Sequence, residues 1–297
     1  MSVALREEAP AKLNLCLILG PAREHDGRHE LVTLFQPVTL ADHVSLEPAA
    51  LGVAADEVVC AGVEGDNLAA AALAAFRERT GWRAPPVRLV IEKRIPVAAG
   101  MAGGSADAAA TLRLAARASG VANDALLLEL AAGLGADVPA QLRPARYVAT
   151  GVGERLEPVP EPAPFGVLVL RCAASLSTGA VFAEADRQGL SRDTAQLAEL
   201  AAEVRAAAAS GPGLLPARLA VNDLEPAARA LCPAVGEALD AARGVGAEQV
   251  LLCGSGPTVL GLFADVAAAR GAAVALSGRE PRPLALRPWR ARTEATA

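Results

Sequence analysis

The chain has 297 residues, which at roughly 100 to 200 residues per domain favours two domains. Hydrophobic residues make up 53% and charged residues 21%, a balance that excludes a disordered chain and supports a full core. Acidic residues number 33 against 28 basic ones, a net charge of −5, so no general positive field is present to hold nucleic acid or an anionic membrane.

The first 60 residues predict strands and turns: an apolar run over Leu13–Leu19, a polar turn with Asp26-Gly27, and an alternating run over Glu30–Leu40. Asp66 and Asn67 are cap candidates for a helix running to Arg79 and stopped by Gly81, and a strand follows over Val87–Ile91. Helices are expected over Ser105–Ser119 and Asp124–Ala132, the first opening with small residues that permit close approach to a ligand or a sheet. The stretch Glu157–Pro164 holds four prolines, reads as a semi-rigid connection, and divides an N-terminal domain, 1–156, from a C-terminal one, 165–290. Beyond it the pattern predicts a buried strand over Gly166–Leu170 and helices over Thr178–Gln188, Asp193–Ala209 and Pro233–Arg243. Strands over Val250–Cys253 and Thr258–Phe263, a helix from Asp265, and a last strand at Leu284–Leu286 complete an α/β chain of the α+β kind.

Two features of composition point to particular residues. Lys12 and Lys93 are the only lysines, the other 26 basic residues being arginine, so each is a candidate for work that needs a compact ammonium. The five cysteines, Cys16, Cys60, Cys172, Cys232 and Cys253, are odd in number and form no C-x-x-C pair, which predicts reduced thiols in a cytoplasm rather than disulfides or zinc. Neither a leader peptide nor a membrane span is expected.

The segment from Pro96 to Ala110, P-V-A-A-G-M-A-G-G-S-A-D-A-A-A, follows a strand and opens a helix, so backbone N–H groups and the helix dipole can face a phosphate. It fits neither a Walker A loop nor a dinucleotide fingerprint, and by itself it could equally be a tight packing turn. Together with P-A-K-L-N-L at Pro10–Leu15 and L-C-G-S-G-P-T at Leu252–Thr258, it resembles the three motifs of the GHMP kinases, in the same order. D-G-R-H-E-L-V-T-L-F-Q at Asp26–Gln36, D-N-L at Asp66–Leu68, G-A-D-V-P at Gly135–Pro139 and N-D-L-E at Asn222–Glu225 narrow the resemblance to a branch acting on a cytidine-diphosphate-carrying erythritol.

That resemblance implies an N-terminal domain like ribosomal protein S5 domain 2, a ferredoxin-like C-terminal domain, and transfer of the γ-phosphoryl group of ATP, with Mg²⁺, to a hydroxyl of the acceptor. It assigns Asp137 and Lys12 as catalytic. ATP binding falls to Asn67, Lys93, Pro96, Val97, Ala98, Ala99, Gly100, Met101, Ala102, Gly103, Gly104, Ser105 and Ala106, with Ser105 also a Mg²⁺ ligand. Acceptor binding falls to Asn14, Arg28, His29, Thr178 and Phe182, with the histidine on the cytosine edge. Arg28 stands where the family usually has an aromatic residue. Read as residues alone, several keep a plainer role: Asn67 and Ser105 as helix caps, Lys93 as a solvated strand end, Phe182 as core. The rival readings are another GHMP small-molecule kinase, of homoserine or mevalonate type, and a non-catalytic ligand sensor on the same fold.

Overall fold

Two long strands open the chain, β1 (Leu5–Ala22) and β2 (His29–Pro48), joined by a turn in which Gly27 takes a φ of 68° and Asp26 accepts from the Arg28 N–H. The computed structural model describes residues 4–63, 65–211 and 213–290; residues 1–3 of the expected first domain lie outside them. Both strands outrun the expected apolar stretches, because their extensions carry outward charges such as Arg6 and Glu8 that mask strand character. Residue contacts divide the described chain into two units interleaved in sequence. The first takes 4–11, 40–97 and 102–144, and the second takes 12–39, 98–101 and 145–290.

In the first unit, β3 (Glu57–Cys60) runs parallel to β4 (Val87–Glu92), which pairs antiparallel with β2 from His43↔Glu92 to Pro48↔Val87. Four helices follow: α1 (Leu68–Thr80), α2 (Gly103–Ser119), α3 (Asp124–Leu134) and α4 (Val138–Leu142). Asn67 caps α1 at one end and Gly81, at φ 67°, ends it, as the sequence predicts. The core joins Leu73 and Phe76 of α1, Leu112 and Leu114 of α2, and Leu89 and Ile91 of β4, each such burial worth about 1.5 to 3 kcal/mol. Ala106, Ala108, Ala109 and Ala110 are buried in the same core, their small side chains letting α2 approach its neighbours closely.

In the second unit, β2 pairs with β5 (Tyr147–Thr150) from Thr33↔Ala149 to Phe35↔Tyr147, and β5 pairs with β6 (Arg155–Pro158). Glu157 and Pro158 therefore end a strand, and the proline-rich connection starts only after them. Strand β7 (Gly166–Leu170) is followed by helices α5 (Thr178–Gln188), α6 (Thr194–Ala209), α7 (Glu225–Leu231) and α8 (Pro233–Gly244). Strands β8 (Gln249–Leu252) and β9 (Val259–Phe263), helix α9 (Val266–Ala275) and β10 (Leu284–Leu286) complete the unit. The sheet order β10-β7-β9-β8, antiparallel at every step, is that of a ferredoxin-like β-α-β-β-α-β arrangement. Among the described residues no helix is long and apolar enough to cross a membrane.

Candidate active site

Between β4 and α2 the backbone takes positive φ at Ala98 (55°), Gly100 (71°) and Ala102 (55°). Two of these are alanines, each in a region that costs an L-residue roughly 1 to 2 kcal/mol, strain of the kind found at ligand clamps. At Gly100 only glycine fits, since a Cβ there would stand 2.6 Å from the Cys253 carbonyl oxygen. The Lys12 N–H donates to the Met101 carbonyl at 3.2 Å, and the Cys253 thiol reaches the Gly100 carbonyl at 3.5 Å. All three sequence motifs thus converge on residues 98–101 within the second unit. Asn222 explains part of the N-D-L-E motif, for which the sequence offered no role. Its Nδ2 donates to the Leu252 and Gly254 carbonyls, both at 2.8 Å, while its Oδ1 accepts from the Leu224 N–H at 2.9 Å.

In the first unit, α2 starts after Ala102 with no side-chain cap, so Ser105, half-buried, does not cap the helix, and Gly104 is exposed with nothing within 4 Å of where a Cβ would stand. The first N–H groups of a seventeen-residue helix are left for an anion, at the positive end of its dipole. Beside Gly103, whose Cβ would meet Lys93 Nζ at 3.2 Å, lies a buried ionic cluster. Lys93 Nζ donates to Asp107 Oδ2 at 2.8 Å and to Asp42, whose other oxygen accepts from the Arg94 and Ile95 N–H groups. Burial pushes the Asp107 carboxyl up to about 7 against the pull of Lys93. Burial also works to lower the Lys93 ammonium, yet its two carboxylate partners hold it above the usual lysine value. Lys93 is therefore no solvated strand end. Asn67 accepts from the Ala69 N–H at 2.9 Å, confirming the cap, and also faces the Cys60 thiol, which neighbours the same cluster.

Lys12 is buried at 6% exposure, and its Nζ donates to Asn14 Oδ1 at 3.0 Å and lies 4.4 Å from the centre of the Phe35 ring. Asn14 Nδ2 donates onward to Thr33 Oγ1 at 2.8 Å, and Thr33 to the Cys16 carbonyl at 2.6 Å. A polar relay inside an apolar strand pair orients the ammonium. Asp137 precedes α4 in the first unit, half-buried, and its side chain makes no capping bond. Its helix is anchored by Gln141, which donates to the Pro10 carbonyl at 3.1 Å, and by Arg113, which donates to the Gln141 carbonyl at 2.6 Å.

Returning to the second unit, His29 Nδ1 donates to the Gly20 carbonyl at 2.8 Å, and the ring lies 5.6 Å from Phe182, tilted by 40°. The two are brought together as expected, with Phe182 half-buried on α5. Arg28 is exposed, and among the described residues its guanidinium makes no hydrogen bond. Thr178 opens α5 and shares a 3.0 Å hydrogen bond with Ser255 of the glycine turn, a partner the sequence did not suggest.

Two family models match the chain: the GHMP kinases N terminal domain over residues 67–143 and the GHMP kinases C terminal domain over 197–280. A 4-diphosphocytidyl-2-C-methyl-D-erythritol kinase of Streptomyces coelicolor is 42% identical over 278 residues, covering 91% of this chain and 90% of its own. One of the same name from Thermobifida fusca is 43% identical over 295 residues, covering 93% and 91%. A crystal structure of 4-(cytidine 5'-diphospho)-2C-methyl-D-erythritol kinase superposes with a TM-score of 0.78 at 34% identity, covering 96% of this chain and 100% of its own. A homoserine kinase from Cytophaga hutchinsonii, at 17% identity and a TM-score of 0.71, shares the fold. With its glycine loop, C-terminal glycine turn and ferredoxin-like sheet in place, the chain belongs to the GHMP kinases.

Proposed function

We propose that this chain transfers the γ-phosphoryl group of ATP to the 2-hydroxyl of 4-diphosphocytidyl-2-C-methyl-D-erythritol. The observation that carries the reading is identity of 42–43% to kinases of that name along nine-tenths of both chains. Phosphoryl transfer asks the protein for little covalent chemistry and much positioning, which suits this set of residues. The α2 N-terminus and the 98–104 backbone hold the nucleotide phosphates, Asn67 and Lys93 its base. Asp137 takes the proton of the attacking hydroxyl, and Lys12, oriented by Asn14, neutralises charge on the reacting oxygens. Thr178 and Asn14 contact the acceptor, and Phe182, with Arg28 as a planar stacking partner, faces its cytosine.

Among the described residues no group of three acidic, histidine or cysteine side chains could hold a metal, so Mg²⁺ would arrive on phosphate oxygens with the uncommitted Ser105 hydroxyl as its protein ligand. When bound it would neutralise charge on the transferring group. Five free cysteines support work in a reducing cytoplasm. The division into 1–156 and 165–290 remains our reading of the domain boundary. The reading is tested by coupled ADP release with the cytidyl acceptor, homoserine and mevalonate side by side: turnover should be confined to the first, and equal or greater turnover of another acceptor would refute it.

A further inference from the structure

Thr33 stands inside β2, within the D-G-R-H-E-L-V-T-L-F-Q segment, and no step of the phosphoryl transfer uses it. It is 1% exposed, between the buried apolar Val32 and Leu34, so it is closed to a substrate. A hydroxyl in such surroundings needs partners, and it has two. Its Oγ1 donates to the Cys16 carbonyl at 2.6 Å and accepts from Asn14 Nδ2 at 2.8 Å. The direction of these bonds is forced. A backbone carbonyl only accepts, so the single hydroxyl proton of Thr33 goes to Cys16 and leaves a lone pair for Asn14. Asn14 must therefore turn its amide nitrogen toward Thr33, which aims Oδ1 at Lys12 Nζ, 3.0 Å away. An ammonium only donates, so the far end of the relay agrees. The flipped amide would set its oxygen against a hydroxyl with no proton to share and its NH₂ against the ammonium, two clashes at once. Phe35, two residues beyond Thr33 on the same strand, sets its ring 4.4 Å from the same Nζ, so one face of β2 addresses Lys12 twice.

We propose that Thr33 is a positioning residue for phosphoryl transfer: it fixes which end of the Asn14 amide faces Lys12, and so holds the ammonium where charge collects on the reacting oxygens. The proposal rests on the reading that Lys12 takes part in the transfer. Thr33 is β-branched, which restricts its χ1 and keeps the hydroxyl in one place. Asn14 and Lys12 are buried with it, and in that low dielectric a matched chain of donors and acceptors is strong while a mismatched one is costly. Valine has the shape of threonine with neither the proton nor the lone pairs. In its presence nothing would hold Nδ2, and the amide would be free to turn its NH₂ toward the ammonium, leaving Lys12 without this acceptor.

The test is a kinetic cycle, run with the acceptor that the wild type turns over, so that the identity of the acceptor is a separate question. Lys12→Met checks the reading beneath: a wild-type rate there would take Lys12 out of the chemistry and the proposal with it. Given a slow Lys12→Met, Thr33→Val should lower kcat by roughly tenfold, the size of one net hydrogen bond, with the KM for ATP little changed. Thr33→Ser, which keeps the hydroxyl, should recover most of the rate. The thermal midpoint of the valine variant should also fall, because the Cys16 carbonyl loses a donor, so stability does not discriminate and the cycle with Asn14→Ala does. A chain with alanine at position 14 has no amide to orient, and adding Thr33→Val to it should cost kcat nothing further. Losses that multiply would show Thr33 acting by another route and overturn the proposal. Wild-type kcat in Thr33→Val, or a serine variant as slow as the valine one, would overturn it as well. Should the valine chain not fold, Thr33→Ala takes its place in the same cycle with the same outcomes.

Discussion

Asp137 and Lys12 make different demands on their surroundings, and substitution should separate them. Asp137 is half-buried at the start of a five-residue helix and makes no capping bond, so its amide replacement keeps the helix start while losing the ability to take a proton. Asp137→Asn should lower kcat by about 10² to 10⁴-fold with ATP affinity little changed, measured by single-turnover phosphoryl transfer and calorimetry. Near-normal turnover would remove Asp137 from the chemistry. Lys12 is instead built into its site, with Nζ bonded to Asn14 and set over Phe35. Both residues stand out in the sequence, one by its motif and one as a rare lysine. Asp42, Asp107 and Asn222 were not read as partners, because aspartate and asparagine are common and only folding shows that their acceptors and donors are matched inside.

At the scale of elements, the glycine loop holds positions that differ in what they need. Gly100 faces protein backbone at 2.6 Å and is structural whatever it binds, and Gly103 would press on Ile95 and Lys93. Gly104 is exposed, with no protein atom near, in the first turn of α2, where alanine should be tolerated and even favoured by helix propensity. Gly104→Ala should therefore leave the thermal midpoint equal or higher while weakening ATP binding, since the added methyl would stand where phosphate must approach the backbone. Unaltered ATP affinity by calorimetry would show that phosphates dock elsewhere. The elements read correctly from sequence are those with caps and length: α1 between Asn67 and Gly81, α5 after Ser177, α6 after Asp193 with its capping box. Those that escaped are β3, β5 and β6, of four residues each, α4, of five, and α7, of seven. None spans enough of a period to be seen, and β6 is further disguised by its Pro158.

At the scale of the whole molecule, two buried charges should dominate what pH and substitution do to stability. Because burial lifts Asp107 to about 7, the folded chain holds a proton that the unfolded chain has already released above its ordinary carboxylate value of 3.8. Folding is then favoured by protons over that window, so this group's contribution is present at low pH and is lost as pH rises toward 7. Urea unfolding across pH 5 to about 8 should show stability falling more steeply with pH in the wild type than in Asp107→Asn, which has no proton to lose; parallel slopes would refute the assignment. Arg146 is the second case. It is fully buried, and among the described residues none of its three guanidinium nitrogens has a hydrogen-bond partner, although its carbonyl accepts from the Val159 N–H at 3.0 Å. Glu161 acts on it only through space, and among the described residues no salt bridge offsets the lost hydration. The register between β2 and β5 ends at Phe35↔Tyr147, and next along β2 the Gln36 Oε1 is buried and, among the described residues, without a hydrogen-bond partner. A cation desolvated without a partner costs more than its packing returns, and an apolar chain of similar length keeps the packing and removes the charge. Arg146→Met should raise stability, by about 1 to 4 kcal/mol if it follows buried charges replaced elsewhere, and raise the thermal midpoint by several degrees with activity retained. A lowered midpoint would mean that Gln36 Oε1 closes onto the guanidinium in solution, and Gln36→Leu should then cost as much alone as it does combined with Arg146→Met, the signature of a pair rather than of two separate strains.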